Sequence, residues 1–148
     1  MKNPEIVIET FNADDLYDIS AFELLLSQSS SQTSGYITKT LVDLKAIGIL
    51  IPKPESIAQY LIEHPDMIDV LPIVYEIVKS KIKGKFQLSL ELYSDPEINY
   101  QYLVFNARRK IYSSTFLKVI KEIREEYSSK LANKSGRILI TTDFLKLA

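Results

Sequence analysis

Asp14, Asp15 and Asp18 spell D-D-x-x-D. On a helix the first and last of these carboxylates lie one turn apart, a spacing that holds Mg²⁺ with waters completing the octahedron. The plainer account is a helix start enriched in acids, which the positive end of the helix dipole favours. His64 is the only histidine, and the chain has no cysteine. Composition therefore excludes a His-rich or thiolate metal site, a disulfide and a cysteine nucleophile. His64 stands before Pro65, which pushes it out of helical geometry and suits a helix end or the surface. Nucleophiles narrow to Ser, Thr or Lys, and no G-x-S-x-G frames one. Neither a P-loop nor a G-x-G-x-x-G is present, and four glycines are spread over the whole chain, so a backbone cradle for phosphate is not expected. Glu91, Asp95, Glu97 and Asp143 fall near predicted strand ends. They would form an acid–base pair or metal cluster only if folding gathered them; otherwise they are solvated turn charges.

The remaining constellation is basic. A hairpin turning at Asp95-Pro96-Glu97 returns Lys85 close to Arg108. That brings Lys83 and Lys85 to the same end as Arg108, Arg109 and Lys110, with Tyr102 and Tyr112 in the same strand or just beyond it. Cations beside tyrosines neutralise phosphates and stack bases. They also suit an acidic protein partner or the chain's own N-terminal arm, or a solvated edge that lysines protect from aggregation. No RRM or KH signature accompanies them, and the sequence pI of about 5.9 is that of no typical nucleic-acid-binding domain. The net charge of -1 hides a division. Residues 1–78 are strongly acidic and contain no arginine, whereas residues 79–148 are strongly basic. So large an asymmetry is a statement about surfaces and partners.

These side chains need elements to position them. Residues 5–11 alternate as a short strand does, and Asn12 or Asp14 suits the cap of an acidic helix through Leu26. Residues 27–35 (SQSSSQTSG) read as a polar linker, so residues 1–35 read as an acidic arm plus linker, and 36–148 as the α+β core of a single domain. Ile37, Leu41, Leu44 and Ile47 predict a helix ended by Gly48, with a brief extended stretch at 49–51. Pro54 opens a helix carrying Ile57, Tyr60 and Leu61, and Pro72 opens another with Val74, Ile77, Val78 and Ile82 as its buried stripe. Residues 85–93 alternate strictly, pointing Phe86, Leu88, Leu90 and Leu92 to one face. Residues 99–107 return as a second strand. Ser113 or Ser114 caps a long helix with the stripe Phe116, Ile120, Ile123, Tyr127 and Leu131. Residues 137–142 form a last strand.

The fold class expected is α+β: a sheet of three or four strands in the order helix-strand-strand-helix-strand, packed on helices behind a mainly helical N-terminal region. A fourth strand from 5–11 or 49–51 would complete a ferredoxin-like split; a three-stranded sheet backed by helices fits equally. From residue 54 onward, P-E-x-I…Y-L-x-x-H-P-D, then L-P, then L-S-L-E-L-Y-x-D-P-E…Y-L-V, and Thr141-Thr142-Asp143-Phe144 near the end, resemble small uncharacterised bacterial proteins with an αββαβ unit and a D-P-E hairpin turn. The resemblance implies that fold and transfers no activity.

With no stretch of the ~18–20 apolar residues a membrane span requires and no signal-peptide pattern at the start, the expectation is a soluble cytoplasmic protein. The function expected is a non-enzymatic protein-interaction or regulatory module, partnered by another protein or by a second copy of itself, and by no membrane. The alternative is a nucleic-acid-binding protein using the basic end of the 85–110 hairpin; a carboxylate-metal hydrolase comes third. No cofactor, catalytic residue or metal ligand is assigned. The binding residues assigned are Lys83, Lys85, Arg108, Arg109, Lys110, Tyr102 and Tyr112.

Overall fold

The computed structural model describes residues 31–147. The strand read over 5–11, the acidic helix with its D-D-x-x-D and most of the Ser/Gln-rich linker lie outside those residues. Helix α1 (Ser31–Ala46) begins within the segment read as linker and buries Ile37, Leu41 and Leu44. It stops at Gly48, which adopts a positive φ of 100°. Gly48 N–H reaches the Lys45 carbonyl and Ile49 N–H the Leu44 carbonyl, the paired closure that favours glycine just past a helix. Leu50 then makes a parallel bridge with Ser89. Pro54 starts α2 (Pro54–Glu63), which His64 closes; a 3₁₀ turn (Pro65–Met67) leads into α3 (Val70–Lys81).

Among the described residues the sheet has three strands in the order β1-β2-β3. Strands β1 (Gln87–Asp95) and β2 (Tyr100–Arg108) are antiparallel, and β3 (Ile138–Thr141) runs parallel to β2. Helix α4 (Ser114–Tyr127), extended by a 3₁₀ turn (Ser128–Leu131), makes the crossover from β2 to β3. Ser113 caps α4, its hydroxyl accepting from Phe116 N–H at 3.2 Å. The class is therefore α+β, with four α-helices and a mixed sheet among the described residues. The ferredoxin-like arrangement is not the one found. There the final strand would not neighbour the strand that feeds its helix, whereas here β3 pairs directly with β2.

One face of the sheet, comprising Leu88, Leu90, Leu103, Phe105, Ala107, Ile138 and Ile140, joins Phe116, Ile120, Ile123 and Tyr127 of α4 and the apolar stripes of α1–α3 in a single core. The alternation in β1 put the correct face inside; Phe86 and Leu92 are half-buried at its ends. By the pleat of the strands, the opposite face carries Ser89, Glu91 and Tyr93 beside Tyr102, Val104, Asn106 and Arg108. Helix α4 also seals the outer edge of β3. The Tyr127 hydroxyl donates to the Ile138 carbonyl at 3.1 Å and accepts from Ile140 N–H at 3.0 Å. Arg124 Nε donates to the Ile140 carbonyl at 2.7 Å. Two side chains thus take the place of a fourth strand on an edge that would otherwise be sticky. Among the described residues, no helix is long and apolar enough to cross a membrane.

Candidate functional site

The basic residues assigned from the sequence divide into a structural set and an open set. Gln87, not Lys85, stands opposite Arg108. The reason is the turn: a four-residue loop, 96–99, centres it one to two residues later than expected. It is held by Glu97 N–H donating to the Asp95 carboxylate at 3.0 Å, and by Asn99 in the left-handed region at φ 50°. Arg108 is not a free cation. Its side chain is 11% exposed and forms a two-pronged pair with Asp143, Nε to Oδ1 at 3.1 Å and Nη2 to Oδ2 at 2.6 Å. Its Nη2 also lies 3.5 Å from Glu91 Oε2. Glu91 accepts further from Ser89 Oγ at 2.9 Å and from Asn106 Nδ2 at 3.1 Å. The hydrogen bonds to Asp143 raise the Arg108 pKa, and the same guanidinium holds the Asp143 carboxyl below its ordinary value. Two of the four carboxylates left open by the sequence are thus gathered, but around an arginine and as an anchor for the C-terminal segment.

Tyr112 belongs to that anchor. Its hydroxyl accepts from Arg109 N–H at 3.2 Å and donates to the Leu145 carbonyl, and its ring meets Phe116 and Phe144. Tyr102 lies elsewhere. Six residues before Arg108 on β2, it is about 20 Å away at a strand rise of ~3.3 Å per residue. There it packs with Tyr93 and Tyr100, ring centroids 5.0 and 5.6 Å apart. Tyr102 and the cations therefore do not share one patch.

Lys83, Lys85, Arg109 and Lys110 remain at the basic end, and none forms an ion pair among the described residues. The Arg109 guanidinium lies over Gly84 and 5.4 Å from the Phe116 ring centroid, a cation–π placement that keeps its outer edge available. Apolar side chains are exposed here too: Ile111 next to Lys110 at 75%, and Phe144 at 57% and Leu145 at 56% on the C-terminal segment that Arg108 and Tyr112 hold. Sequence reasoning missed this apolar component. Phe144 and Leu145 reach the basic end only because Asp143 is held by Arg108.

A second polar cluster sits at the opposite end. Asp66 Oδ2 accepts from Ser135 N–H and Asp66 Oδ1 from Ser135 Oγ, each at 2.7 Å, while His64 Nδ1 is 2.9 Å from Ser135 Oγ. A hydroxyl has one proton. Asp66 takes it, so His64 must donate through Nδ1. That wiring is the reverse of a serine activated by a histidine base; it pins the 3₁₀ turn after α2 to the segment before β3. Burial acts to raise the Asp66 pKa, but the two bonds from Ser135 outweigh it and hold the carboxyl below its ordinary value. Tyr60 completes the junction: its hydroxyl accepts from Arg137 N–H at 2.9 Å, and burial raises its pKa. Gly136 is required beside it, because a Cβ there would stand 2.7 Å from both the Tyr60 hydroxyl and Met67 Cγ. These partners are about 70 positions apart in sequence, and no local pattern announces them. Among the described residues, no group of three or more His, Asp and Glu side chains is arranged to hold a metal ion.

The chain is an α+β protein with two polar poles on one small sheet. No protein-family model, curated protein or solved structure matches it.

Proposed function

We propose that this chain is a non-enzymatic protein-interaction module of regulatory type that docks an acidic protein surface on its basic end. The observation carrying the reading is the mixture found there: Lys83, Lys85, Arg109 and Lys110, which form no ion pair among the described residues, beside the exposed side chains of Ile111, Phe144 and Leu145. Apolar anchors rimmed by cations suit a protein interface, where anchors carry the affinity and charges set encounter and register. A nucleic-acid reading of this end loses the support of its tyrosines. Tyr102 is at the far pole, and Tyr112 is spent on the C-terminal segment. Catalysis by the Ser135–His64–Asp66 set is disfavoured by its proton arrangement. Arg108, counted from the sequence among the binding residues, acts in this reading as the internal anchor that presents the others.

The test is a photo-crosslinking amino acid placed at Ile111 in the full chain, with the same probe at Tyr36 as a control. Arg109→Glu with Lys110→Glu is introduced in parallel, and folding is monitored by circular dichroism. The expected outcome is a protein adduct at Ile111 that is absent at Tyr36, lost on charge reversal and weakened by salt. An adduct with a second copy of this chain would replace the acidic partner by self-association. Adducts unchanged by the reversal would overturn the reading.

A further inference from the structure

The pole opposite the basic end holds an open groove of about 920 Å³ between the end of α2, the turn after α4 and the 134–137 segment, with Tyr100 on its rim. That volume lies at the upper end of the roughly 300–1,000 Å³ usual for ligand clefts. Two cations line it without an ion pair among the described residues, Lys134 and Arg137; Arg124, also in the wall, is committed to the edge of β3. His64 presents its ring there too. Since Nδ1 donates to Ser135, Nε2 is the nitrogen left for a ligand. Glu63 is the lone carboxylate among the described lining residues.

Tyr100, on the rim of the groove, also packs against Tyr102. Tyr100, Tyr102 and Tyr93 form a continuous row of rings across the hairpin, on the sheet face turned away from the core. Tyr100 is 42% and Tyr93 46% exposed. Cations at one end and a row of aromatic rings leading away from them fit a ligand that is both anionic and aromatic, and that repeats. A single nucleic-acid strand has that chemistry: phosphates for Lys134 and Arg137, bases for the rings. A folded acidic protein offers carboxylates but no planar groups at that spacing.

We propose that this groove and tyrosine row bind single-stranded nucleic acid, the phosphates lying against Lys134 and Arg137 and a base stacking on Tyr100. The site is separate from the proposed protein-docking end, about 27 Å away along β2 at a rise of ~3.4 Å per residue, and does not depend on that reading. The competing account is that Lys134 and Arg137 only complement the carbonyl ends of α2 and α4, which close beside the same groove.

Fluorescence polarisation of the full chain with a labelled 12-nucleotide oligouridine separates them. Saturable binding is expected, with log K against log salt sloping by about −1.4 for two phosphate contacts on a single strand. Tyr100→Ala should weaken binding by roughly tenfold. Lys134→Ala with Arg137→Ala should weaken it at least as much and flatten the salt slope. Lys83→Glu with Lys85→Glu should change affinity by less than about threefold near physiological salt, where the screening length of ~8 Å is far shorter than the separation. Uridine monophosphate is the second arm: competition at matched concentrations would show that the groove takes a free nucleotide, and failure to compete that it takes a strand. Absence of saturable binding would overturn the proposal. So would loss of binding on reversal at Lys83 and Lys85 alone, or a double alanine variant whose only change is a lower Tm.

Discussion

The two poles of this sheet are built from neighbouring stretches of sequence, yet they are opposite in kind. At the Arg108 pole, β2 and β3 end, Lys83, Lys85 and Lys110 are exposed beside a half-buried Arg109, and apolar side chains stand among them. At the Tyr100 pole the aromatic rings are gathered, Lys134 and Arg137 sit on a segment pinned at Tyr60 and Asp66, and the surface is concave. The nine residues of β2, Tyr100–Arg108, run from one to the other. A strand is a spacer of about 3.3 Å per residue, so side chains that crowd one line of sequence are held nearly a molecule's width apart. Two poles on one rigid strand can serve two partners without competition.

Both poles hang on one core, and its loss is the largest effect expected. Leu90 is fully buried in the middle of β1. Leu90→Ala should cost about 2–5 kcal/mol by transfer and cavity terms and should weaken both poles together. A loss at one pole only, measured by chemical denaturation alongside both binding assays, would show that the poles fold independently.

The next effect separates Arg108 from its neighbour. Arg108→Met leaves Glu91 and Asp143 facing each other without their cation. Breaking a fully buried pair costs roughly 3–5 kcal/mol, and the partial exposure of both carboxylates lowers this to about 1–3. Arg109→Met should cost only about 0.5–1 kcal/mol, the worth of its placement over Phe116. Equal costs would erase the distinction between anchor and docking residue. Limited proteolysis adds a local readout: the C-terminal segment should become cleavable in the Arg108 variant and not in the Arg109 variant.

Acid tests the two pinning carboxylates, one at each pole. Asp143 and Asp66 both hold pKa values below their ordinary 3.8. A depressed carboxyl binds its proton later in the folded chain than in the unfolded one, so the unfolded state takes up protons first as pH falls. The stability these groups contribute is full above about pH 5 and is lost as pH drops through 3.8 and below. Asp143→Asn should therefore lower Tm near pH 7, and the gap to the parent should narrow as the pH falls below 3.8. Asp66→Asn should behave alike. A gap independent of pH would mean that shape rather than charge holds these segments.

Much of the fold was legible because it is locally encoded. The alternation of Leu88 and Leu90, the Ser113 cap, the Gly48 stop and the stripe from Phe116 to Tyr127 each depend on residues within a few positions. The strand order was not legible. Whether β3 pairs beside β2 or beyond another strand depends on long-range packing, and Tyr127 and Arg124 capping the edge of β3 carry no sequence signature. The candidate site was half legible. Lys83, Lys85, Arg109 and Lys110 were found together because hairpin geometry demands it. Arg108 looked identical to them until Asp143 arrived from 35 positions away. The Tyr60–Asp66–Ser135 junction shows the same limit, since proline and glycine punctuation marks turns but not which turns will meet.

The smallest expected effect is also the sharpest on the comparison. Lys83→Glu with Lys85→Glu alters two exposed side chains that have no ion pair among the described residues. Surface changes of that kind usually move stability by no more than about 0.5 kcal/mol. The pair should therefore leave the denaturation midpoint nearly unchanged while abolishing the salt-sensitive contact at Ile111. It should leave polarisation of the oligouridine almost untouched, because the groove lies several screening lengths away. A stability loss above about 1 kcal/mol would show that these lysines are structural after all, stabilising an interior acid that their exposure conceals. A parallel loss at both poles with the fold intact would mean that the molecule presents one long basic surface, and that the separation drawn along β2 has no functional meaning.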